Sequence, residues 1–368
     1  MKKFVKVMFD LTSGADKGFK YKIGEVNVAS NWNPDAKNGK DFGGFNYCSE
    51  ECILRWLHRG DTIYDVTIPD DAENVRLDGA TTIYRTNKII ISNPKKVDDE
   101  LALHFYQISK IPEKSYYKAL AVVSIMNYKK TAYAIFKDKI NKDNIDEALE
   151  EWNDFISHGN KNDRKDVNGL VKEIEGYLYE VKSDVLISRF VDKEPYIKDI
   201  SNGRVINVTG ESGSGKSTYV AKYLNDDNYI VIDTDLVFKN GKIDNKYILE
   251  LRNLFKDKAK DYMINNFDEF YLNILDYFKD VDKTIVVDSA QFRNIKNYSI
   301  LKGKLIVIRT SIDNCYNRCI KRWKESNKNY NDEELEKYSN KKLNMFNWYK
   351  SLNKFLENVE KTFWYLVD

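Results

Sequence analysis

Residues 210–218 read GESGSGKST and fit the phosphate-loop pattern G-x-x-x-x-G-K-[ST] at every fixed position. The apolar run 205–208 directly before them predicts a buried strand, and residues 219–224 directly after them continue as a helix. Glycines let the backbone turn tightly enough for successive N–H groups to point at a polyphosphate, and the helix N-terminus adds partial positive charge. The chain is therefore expected to contain a strand, loop and helix unit of the kind that binds a nucleotide.

The residue types within this pattern predict a site for ATP and Mg²⁺. Lys216 would reach the β and γ phosphates, and the hydroxyl of Ser217 would ligate Mg²⁺. The predicted nucleotide-binding residues are Gly210, Ser212, Gly213, Ser214, Gly215, Lys216, Ser217 and Thr218.

Length and composition indicate how many domains and which kinds of partner the chain has. A chain of 368 residues exceeds the size at which one hydrophobic core stops growing, so two or three domains are expected. Net charge is +2, which gives no overall electrostatic indication of nucleic acid, although local basic patches keep that partner open. No stretch approaches the ~20 apolar residues of a membrane span. Charges and glycines interrupt residues 1–22 before a signal-peptide core forms, so a cytoplasmic protein without a membrane partner is expected.

The four cysteines occur as two sets with the same sequence spacing, Cys48 with Cys52 and Cys315 with Cys319. Four cysteines in a chain of this length do not indicate a disulfide scaffold. A zinc site that includes His58 is conceivable, but the usual close ligand spacings are absent and both pairs lie in helix-like segments. The cysteines therefore do not predict a metal site.

Residues 1–97 are predicted to form a β-rich α+β domain of unknown role. Short alternating runs separated by turn signals predict strands at 62–68, 82–84 and 88–91. Residues 49–57 predict a short helix that ends before Arg59 and Gly60.

Residues 98–200 are predicted to be a helical segment followed by a linker. Pro112 breaks the first helix, and residues 115–139 form a long, largely apolar helical run. The polar segment 157–163 is the best candidate for a linker. A further amphipathic helix has one apolar face, made by Val171, Ile174, Leu178 and Val181.

Residues 201–368 alternate between apolar runs and helical runs. The apolar runs are 205–208, 229–232, 284–287, 305–308 and 363–367. Five short strands separated by helices predict a parallel sheet with helices on both faces. Ligands of such sheets bind at the carboxyl ends of the strands.

Three aspartates follow two of these predicted strands. Asp233 and Asp235 come directly after the second strand, separated by one residue. One of them could act through water on Mg²⁺ and the other, preferably Asp235, could orient or deprotonate an acceptor hydroxyl. A solvated loop or a helix cap at Asp235 is the alternative. Asp288 ends the third strand and is predicted to hold Mg²⁺ or its water shell.

Gln291 and three arginines follow the third and fourth strands. Gln291 and Arg293 could meet an acceptor or a phosphate, or could lie in an exposed polar loop. Arg318 and Arg322 share one helix face and could close over the triphosphate, although basic helix faces are often simply solvated. Residues 324–337 are polar, which suits a mobile lid.

These features together resemble the P-loop kinases that phosphorylate small molecules, nucleosides or nucleotides, over roughly residues 203–368. In shikimate and gluconate kinases a D-x-D after the second strand serves Mg²⁺ and the acceptor, and the resemblance carries these roles over to Asp233 and Asp235. Residues 289–293 read SAQFR where shikimate kinases have a glycine-rich acceptor loop, so the acceptor stays open. Arg252, Lys256 and Lys260 recur at helical spacing where nucleotide kinases place acceptor-binding helices, and they could bind a phosphorylated acceptor or form a surface face.

The N-terminal part carries a second resemblance. Residues 10–95, approximately, resemble a poorly characterised domain of giant-virus proteins in their glycines, aromatic residues and a turn proline. The resemblance implies a binding or targeting module. If the source is a virus, it also implies that the protein is located in the host cytoplasm. A remote similarity to the ADP-ribosyltransferase fold is conceivable. Its full catalytic set is not found, and the nearby candidates Glu51 and His58 are better explained by structural roles.

The predicted fold class is α/β, with a C-terminal sheet of the P-loop kinase type preceded by an α+β domain and a helical middle segment. The leading hypothesis is a phosphotransferase that moves the γ-phosphate of ATP to an unidentified hydroxyl or phosphate acceptor. Its predicted catalytic residues are Lys216, Asp235, Arg318 and Arg322, and its predicted metal ligands are Ser217, Asp233 and Asp288. A polynucleotide 5′-hydroxyl kinase and a nucleotide-dependent switch without phosphotransfer are the alternatives.

Overall fold

The chain divides into two compact units, Met1–Ile174 and Glu175–Asp368. The computed structural model describes residues 3–12, 19–36, 41–79, 81–158, 169–188, 205–238, 242–358 and 364–367. The division falls within a single helix, α5 (Gly169–Ser188), so the predicted middle segment 98–200 contributes to both units.

The first unit is built on a seven-stranded sheet in which neighbouring strands pair antiparallel. Its strands are β1 (Phe4–Met8), β2 (Val26–Val28), β3 (Phe45–Ser49), β4 (Thr62–Thr67), β5 (Asn74–Leu77), β6 (Ile83–Thr86) and β7 (Lys88–Lys96). Their spatial order is β2-β7-β4-β1-β3-β6-β5. Buried aromatic and branched side chains such as Phe45, Tyr64 and Ile91 form the core on one face. The β-rich character predicted for this part of the chain is confirmed.

Helices complete the first unit. They are a 3₁₀ helix (Glu50–Arg59), α1 (Asp99–Gln107), α2 (Glu113–Ile125), α3 (Lys129–Lys139) and α4 (Ile145–His158). The helical run predicted over 115–139 is interrupted, because Asn127 adopts a left-handed conformation with φ of 60° between α2 and α3. Residues 157 and 158 of the predicted linker belong to α4, and residues 159–163 lie outside the described residues.

The second unit contains the predicted parallel sheet. All five of its strands lie where apolar runs predicted them: β8 (Val205–Thr209), β9 (Tyr229–Asp233), β10 (Thr284–Asp288), β11 (Lys304–Ile308) and β12 (Trp364–Val367). Every neighbouring pair is parallel, and the spatial order is β12-β11-β8-β10-β9. The chain thus moves to one side of β8 for β9 and β10 and then crosses to the other side for β11. This reversal makes the carboxyl end of β8 a topological switch point, where ligands of open α/β sheets bind.

Helices cover both faces of this sheet. They are α6 (Lys216–Tyr223), α7 (Thr234–Phe238), α8 (Lys246–Phe255), α9 (Ala259–Asn265), α10 (Phe267–Tyr277), α11 (Ile312–Ser326), α12 (Asp332–Lys342) and α13 (Trp348–Asn358). Short 3₁₀ helices occur at Lys256–Lys258, Ala290–Asn294, Tyr298–Ile300 and Leu343–Asn347.

The strands are apolar on both faces because both faces are covered. In β10, Val286 packs in the cluster that includes Val220 of α6, whereas Ile285 and Val287 pack in the larger cluster on the other face. The alternation of side chains along a strand thus sends successive apolar residues into two separate cores. In the part of the chain that the structure describes, no helix is both long enough and apolar enough to span a membrane.

Candidate functional site

The loop of residues 210–218, here called the glycine loop, follows β8 at the switch point and leads into α6. Gly213 and Gly215 have φ values of 89° and 107°, a left-handed region that L side chains rarely adopt. A Cβ on Gly213 would also lie 2.7 Å from the carbonyl oxygen of Cys315 in α11. The loop therefore needs glycine at 213 for both its conformation and its close approach to a helix.

The second turn of α11 and Thr310, two residues before that helix, hold the glycine loop through its backbone. Arg318 donates from Nη1 to the carbonyl oxygen of Gly213 at 3.1 Å and lies 3.4 Å from that of Ser214. Thr310 Oγ1 donates to the same Ser214 oxygen at 3.0 Å. The thiol of Cys319 lies 3.5 Å from the carbonyl oxygen of Ser212. The loop is thus held through its carbonyl groups at Ser212, Gly213 and Ser214.

Lys216 and Ser217 lie in the first turn of α6, as the pattern predicted. Lys216 is half-buried, and its Nζ donates to the carbonyl oxygen of Glu211 at 3.3 Å, so the ammonium group folds back over the loop. Ser217 and Thr218 are exposed. The helix N-terminus, the lysine and the serine hydroxyl are therefore grouped at one end of the sheet.

Asp288 lies beside Ser217. It ends β10, is buried, and accepts a hydrogen bond from Ser217 Oγ to Oδ2 at 3.4 Å. Burial raises its pKa to about 7, and the carboxylates of Asp233 and Asp235 act in the same direction, whereas Lys216 and the hydrogen bond from Ser217 oppose them. A buried carboxylate in this setting is stabilised by a proton or by a cation.

Asp233 and Asp288 are direct partners across β9 and β10, so both carboxylates leave the sheet at the same level. Asp233 Oδ1 accepts a hydrogen bond from the backbone N–H of Asp235 at 2.9 Å. Asp233 therefore caps the start of α7. The sequence had suggested a helix cap at Asp235 instead, as the alternative to a catalytic role. Asp235 is half-buried in the first turn of α7.

The residues at this end of the sheet fit a Mg²⁺ ion that is mostly held by other ligands. Among the described residues, no group of three or more His, Cys, Asp or Glu side chains is arranged to hold a metal ion. Mg²⁺ bound with a nucleotide needs fewer protein ligands, since it keeps several waters and takes phosphate oxygens. Ser217 and Asp288 would supply two neighbouring oxygen ligands, and Asp233 would supply a second carboxylate next to them.

Thr234 and Ser289 are buried residues that the sequence did not single out. Thr234 Oγ1 lies 2.8 Å from Ser289 Oγ and donates to the carbonyl oxygen of Asp288 at 3.2 Å. These contacts tie the end of β9 to the end of β10 and so fix the spacing of the carboxylates. A threonine between two aspartates carries no sequence signal for such a role.

Glu211 and Arg293 form an ion pair that the sequence did not reveal. Arg293 Nη1 lies 3.2 Å from Glu211 Oε2, and Glu211 Oε1 accepts from the backbone N–H of Ser212 at 2.6 Å. Burial raises the pKa of Glu211, and the charge of Arg293 opposes that shift. Gln291 accepts a hydrogen bond from Asn294 Nδ2 at 2.7 Å. Arg293, considered from the sequence as an acceptor or phosphate contact, is engaged with the glycine loop itself.

Arg322 lies one turn beyond Arg318 on α11 and is exposed. The segment 324–337, considered as a lid, consists of the end of α11, a short turn and the start of α12. Asn331 and Glu334 form a capping box at the start of α12, and Trp323 stacks on Tyr338 with ring centroids 5.0 Å apart. Aromatic packing and a cap thus connect the two helices.

The basic stripe predicted from Arg252, Lys256 and Lys260 is not on one helix. Arg252 lies in α8 and donates from both Nε and Nη2 to the carbonyl oxygen of Leu236. Lys256 has a φ of 48° and ends the helix, and Lys260 belongs to α9. The change of direction at Lys256 breaks the helical spacing, so the prediction of a continuous stripe was wrong.

The N-terminal candidates have structural contacts. Glu51 forms an ion pair with Lys110 at 2.5 Å. His58 is buried, and its ring meets Phe155 edge-on with centroids 5.1 Å apart. The four cysteines, Cys48, Cys52, Cys315 and Cys319, are buried free thiols.

Comparison with known proteins does not assign a family. No model of a known protein family matches the sequence, and a search of curated proteins finds none that is similar. The function must therefore be inferred from the site itself.

Proposed function

We propose that the second unit is an ATP- and Mg²⁺-dependent phosphotransferase that acts on a small molecule, nucleoside or nucleotide. The observation that carries the proposal is the contact between Ser217 Oγ and Asp288 Oδ2, at 3.4 Å, beside a glycine loop at the switch point of a parallel sheet. A phosphate-binding loop alone would suit motors, switches and kinases equally. The carboxylates of Asp233 and Asp235 beside it favour transfer to an acceptor.

Each residue has a defined task in this proposal. The backbone N–H groups of the glycine loop and the ammonium group of Lys216 bind the phosphates of ATP. Ser217, Asp288 and Asp233 would hold Mg²⁺, which neutralises charge on the β and γ phosphates. Asp235, in the first turn of α7, orients the acceptor hydroxyl and accepts its proton as the oxygen attacks the γ-phosphorus. The bond from the γ-phosphorus to the bridging oxygen breaks, and ADP leaves with that oxygen. The first unit serves as a recognition or targeting module.

The test is transfer of label from γ-labelled ATP to a panel of nucleosides, nucleotides, sugars, 5′-hydroxyl oligonucleotides and a cell extract. Lys216→Ala should abolish transfer, whereas Lys222→Ala, an exposed lysine on the same helix, should not affect it. Asp235→Asn should lower the transfer rate by about 10²-fold or more while ATP still binds. Asp280→Asn, in an exposed turn, is the matched control.

A nucleotide-dependent switch is the second candidate, and one observation favours it. Arg318 binds loop carbonyl oxygens and Arg322 is exposed, so neither guanidinium contacts the open side of the glycine loop, where the charge of a transferred phosphoryl group would develop. If ATP binds with Mg²⁺ and no acceptor in the panel is labelled, the kinase proposal fails and the switch is favoured. Full transfer by Asp235→Asn would instead overturn the role of Asp235 alone.

A further inference from the structure

A cavity of about 470 Å³ opens in the first unit. It lies where two neighbouring strands stop pairing. β1 pairs with β4 along its whole length, from Phe4 to Met8, but pairs with β3 only at Phe4 with Ser49 and Val5 with Cys48. Beyond Val5, residues of β1 line one side of the cavity and residues 46–48 of β3 line the other. The cavity is therefore a gap within the sheet.

Lys6 bridges this gap. Its Nζ donates to the carbonyl oxygen of Asn46 on β3 at 2.7 Å, and it lies 5.3 Å from the centre of the Tyr21 ring. Burial lowers the pKa of Lys6 to about 8, and the positive charge of Arg85 acts in the same direction, whereas Cys48 opposes it. The ammonium group is thus held in the gap next to a second cation.

Arg85 and Asn46 add unsatisfied polar atoms to the lining. They are direct partners across β6 and β3, so their side chains project from the same face of the sheet. Arg85 donates from Nη1 to the carbonyl oxygen of Gly43 at 2.7 Å. Arg85 Nε and Asn46 Oδ1 are buried and have no hydrogen-bond partner among the residues that the structure describes. A buried polar atom without a partner destabilises the fold, and a ligand that pairs with it would remove that destabilisation.

The charge around the cavity is positive. Arg59 lines it as a third cation and is exposed. Asp10, also in the lining, accepts hydrogen bonds from the backbone N–H and the hydroxyl of Thr12. Met8, Ile53 and Ile83 supply apolar surface. Lys6 and Arg85 are therefore cations of the lining, and Asp10, the one carboxylate among the described lining residues, is engaged with a threonine.

We propose that this cavity binds a small organic anion. The ligand has a phosphate or carboxylate group on a compact molecule that also carries an N–H or O–H donor. The anion pairs with Lys6 Nζ and Arg85 Nε, and the donor group of the ligand pairs with Asn46 Oδ1. The volume lies in the range of small-molecule sites. Charge-assisted hydrogen bonds in a partly desolvated gap supply the affinity. This site is independent of the function proposed for the second unit.

The test is calorimetric titration of the full-length chain carrying Lys216→Ala, so that the glycine loop does not contribute. Three pairs of probes distinguish recognition of the anionic group from recognition of the rest of the molecule. They are ribose 5-phosphate with ribose, phenyl phosphate with phenol, and benzoate with benzyl alcohol. The anion of at least one pair should bind, and its neutral counterpart should not. A phosphate response without a benzoate response assigns the site to phosphates, and the reverse assigns it to carboxylates. Amide hydrogen exchange should slow at residues 5–8 and 45–48 when the anion binds.

Variants assign the binding to this cavity. Lys6→Met and Arg85→Gln should each raise the dissociation constant about tenfold or more. Lys22→Met and Arg76→Gln, which change exposed cations outside the lining, should leave it unchanged. Asn46→Ala should weaken binding of ribose 5-phosphate, which has hydroxyl donors. It should not change binding of phenyl phosphate. This comparison remains valid even if Lys6→Met and Arg85→Gln fold poorly. The proposal is overturned if no anion binds at millimolar concentration, if neutral probes bind equally well, or if the slowed exchange lies elsewhere.

Discussion

Arg318 donates a hydrogen bond from Nη1 to the carbonyl oxygen of Gly213 at 3.1 Å, so α11 holds the glycine loop by its backbone. This relationship changes the expected role of Arg318 from closing over the triphosphate to keeping the loop in shape. A loop fixed before the nucleotide arrives loses less conformational entropy on binding.

We expect Arg318→Ala to weaken ATP binding by about tenfold, since a hydrogen bond from a charged donor contributes on the order of 1.5 kcal/mol. Arg322→Ala, one turn along the same helix and exposed, should leave the affinity unchanged. Titration with a fluorescent ATP analogue measures both. Equal losses in the two variants would indicate that the arginines act together on the nucleotide.

Gly213→Ala should impair nucleotide binding more than it impairs the fold. The new Cβ would meet the carbonyl oxygen of Cys315 at 2.7 Å, and the φ of 89° strains any L residue, so the loop or α11 must shift. We expect a loss of ATP affinity of at least about tenfold, together with a loss of stability of about 1–3 kcal/mol. Gly79→Ala is the control, since its Cβ would meet nothing within 4 Å. Unchanged ATP binding by Gly213→Ala would mean that the loop conformation is not needed for the ligand.

The second unit could be predicted from the sequence to a large extent because its signals are local. Runs such as 284–287 are β-branched along their length and mostly apolar, which is the pattern of a strand covered on both faces. The glycine pattern likewise determines that Ser217 lies in the first turn of a helix. Neighbouring residues are enough to define these features.

Other features depend on contacts between distant parts of the chain. Glu211 and Arg293 are 82 residues apart, and neither has a neighbour in sequence that indicates a partner. The break at Lys256, where φ is 48°, is also not visible in the pattern, because lysine is a good helix former. The gap between β1 and β3 escaped prediction because alternation identifies strands but does not show where their pairing stops.

Asp288→Asn should raise the Mg²⁺ concentration needed for nucleotide binding. The substitution keeps the shape of the side chain and its place beside Ser217, but removes a negative charge that Mg²⁺ prefers as a ligand. We expect the half-saturating Mg²⁺ concentration to rise about tenfold or more, measured by ATP binding during a Mg²⁺ titration. Asp282→Asn, exposed before the start of the same strand, is the control. An unchanged Mg²⁺ requirement would remove Asp288 from the set of metal ligands.

Glu180 of α5 makes the stability of the second unit depend on pH. Burial raises its pKa to about 7, and the carboxylates of Asp184 and Asp313 act in the same direction, whereas Arg309 and a hydrogen bond from the backbone N–H of Ile312 oppose them. The folded protein therefore binds this proton more tightly than the unfolded chain, in which glutamate has a pKa near 4.3. The contribution of Glu180 to the free energy of unfolding is greatest below pH 4.3 and is lost as the pH rises to about 7.

Glu180→Gln should accordingly flatten the decline of stability between about pH 4.3 and 7 and should stabilise the protein above pH 7, by at most about 4 kcal/mol. Urea unfolding of the wild type and the variant across this range measures the difference. Glu357→Gln, an exposed carboxylate on α13, should give a difference that does not vary with pH. Parallel stability profiles for the wild type and Glu180→Gln would contradict the assignment.

The ion pair between Glu211 and Arg293 should matter more when one partner is removed than when both are replaced. The side chain of Glu211 is 8% exposed and that of Arg293 is 27% exposed, so Arg293→Met leaves a buried carboxylate without its cation. We expect this variant to lose about 3 kcal/mol of stability. The double variant Glu211→Gln/Arg293→Met should regain most of it, because the neutral amide can still accept the hydrogen bond from Ser212 N–H and needs no cation. A double-mutant cycle by urea unfolding yields the coupling energy directly. Additive losses in the two single variants would show that the pair does not stabilise the loop, and Arg293 would then be free to serve the nucleotide instead.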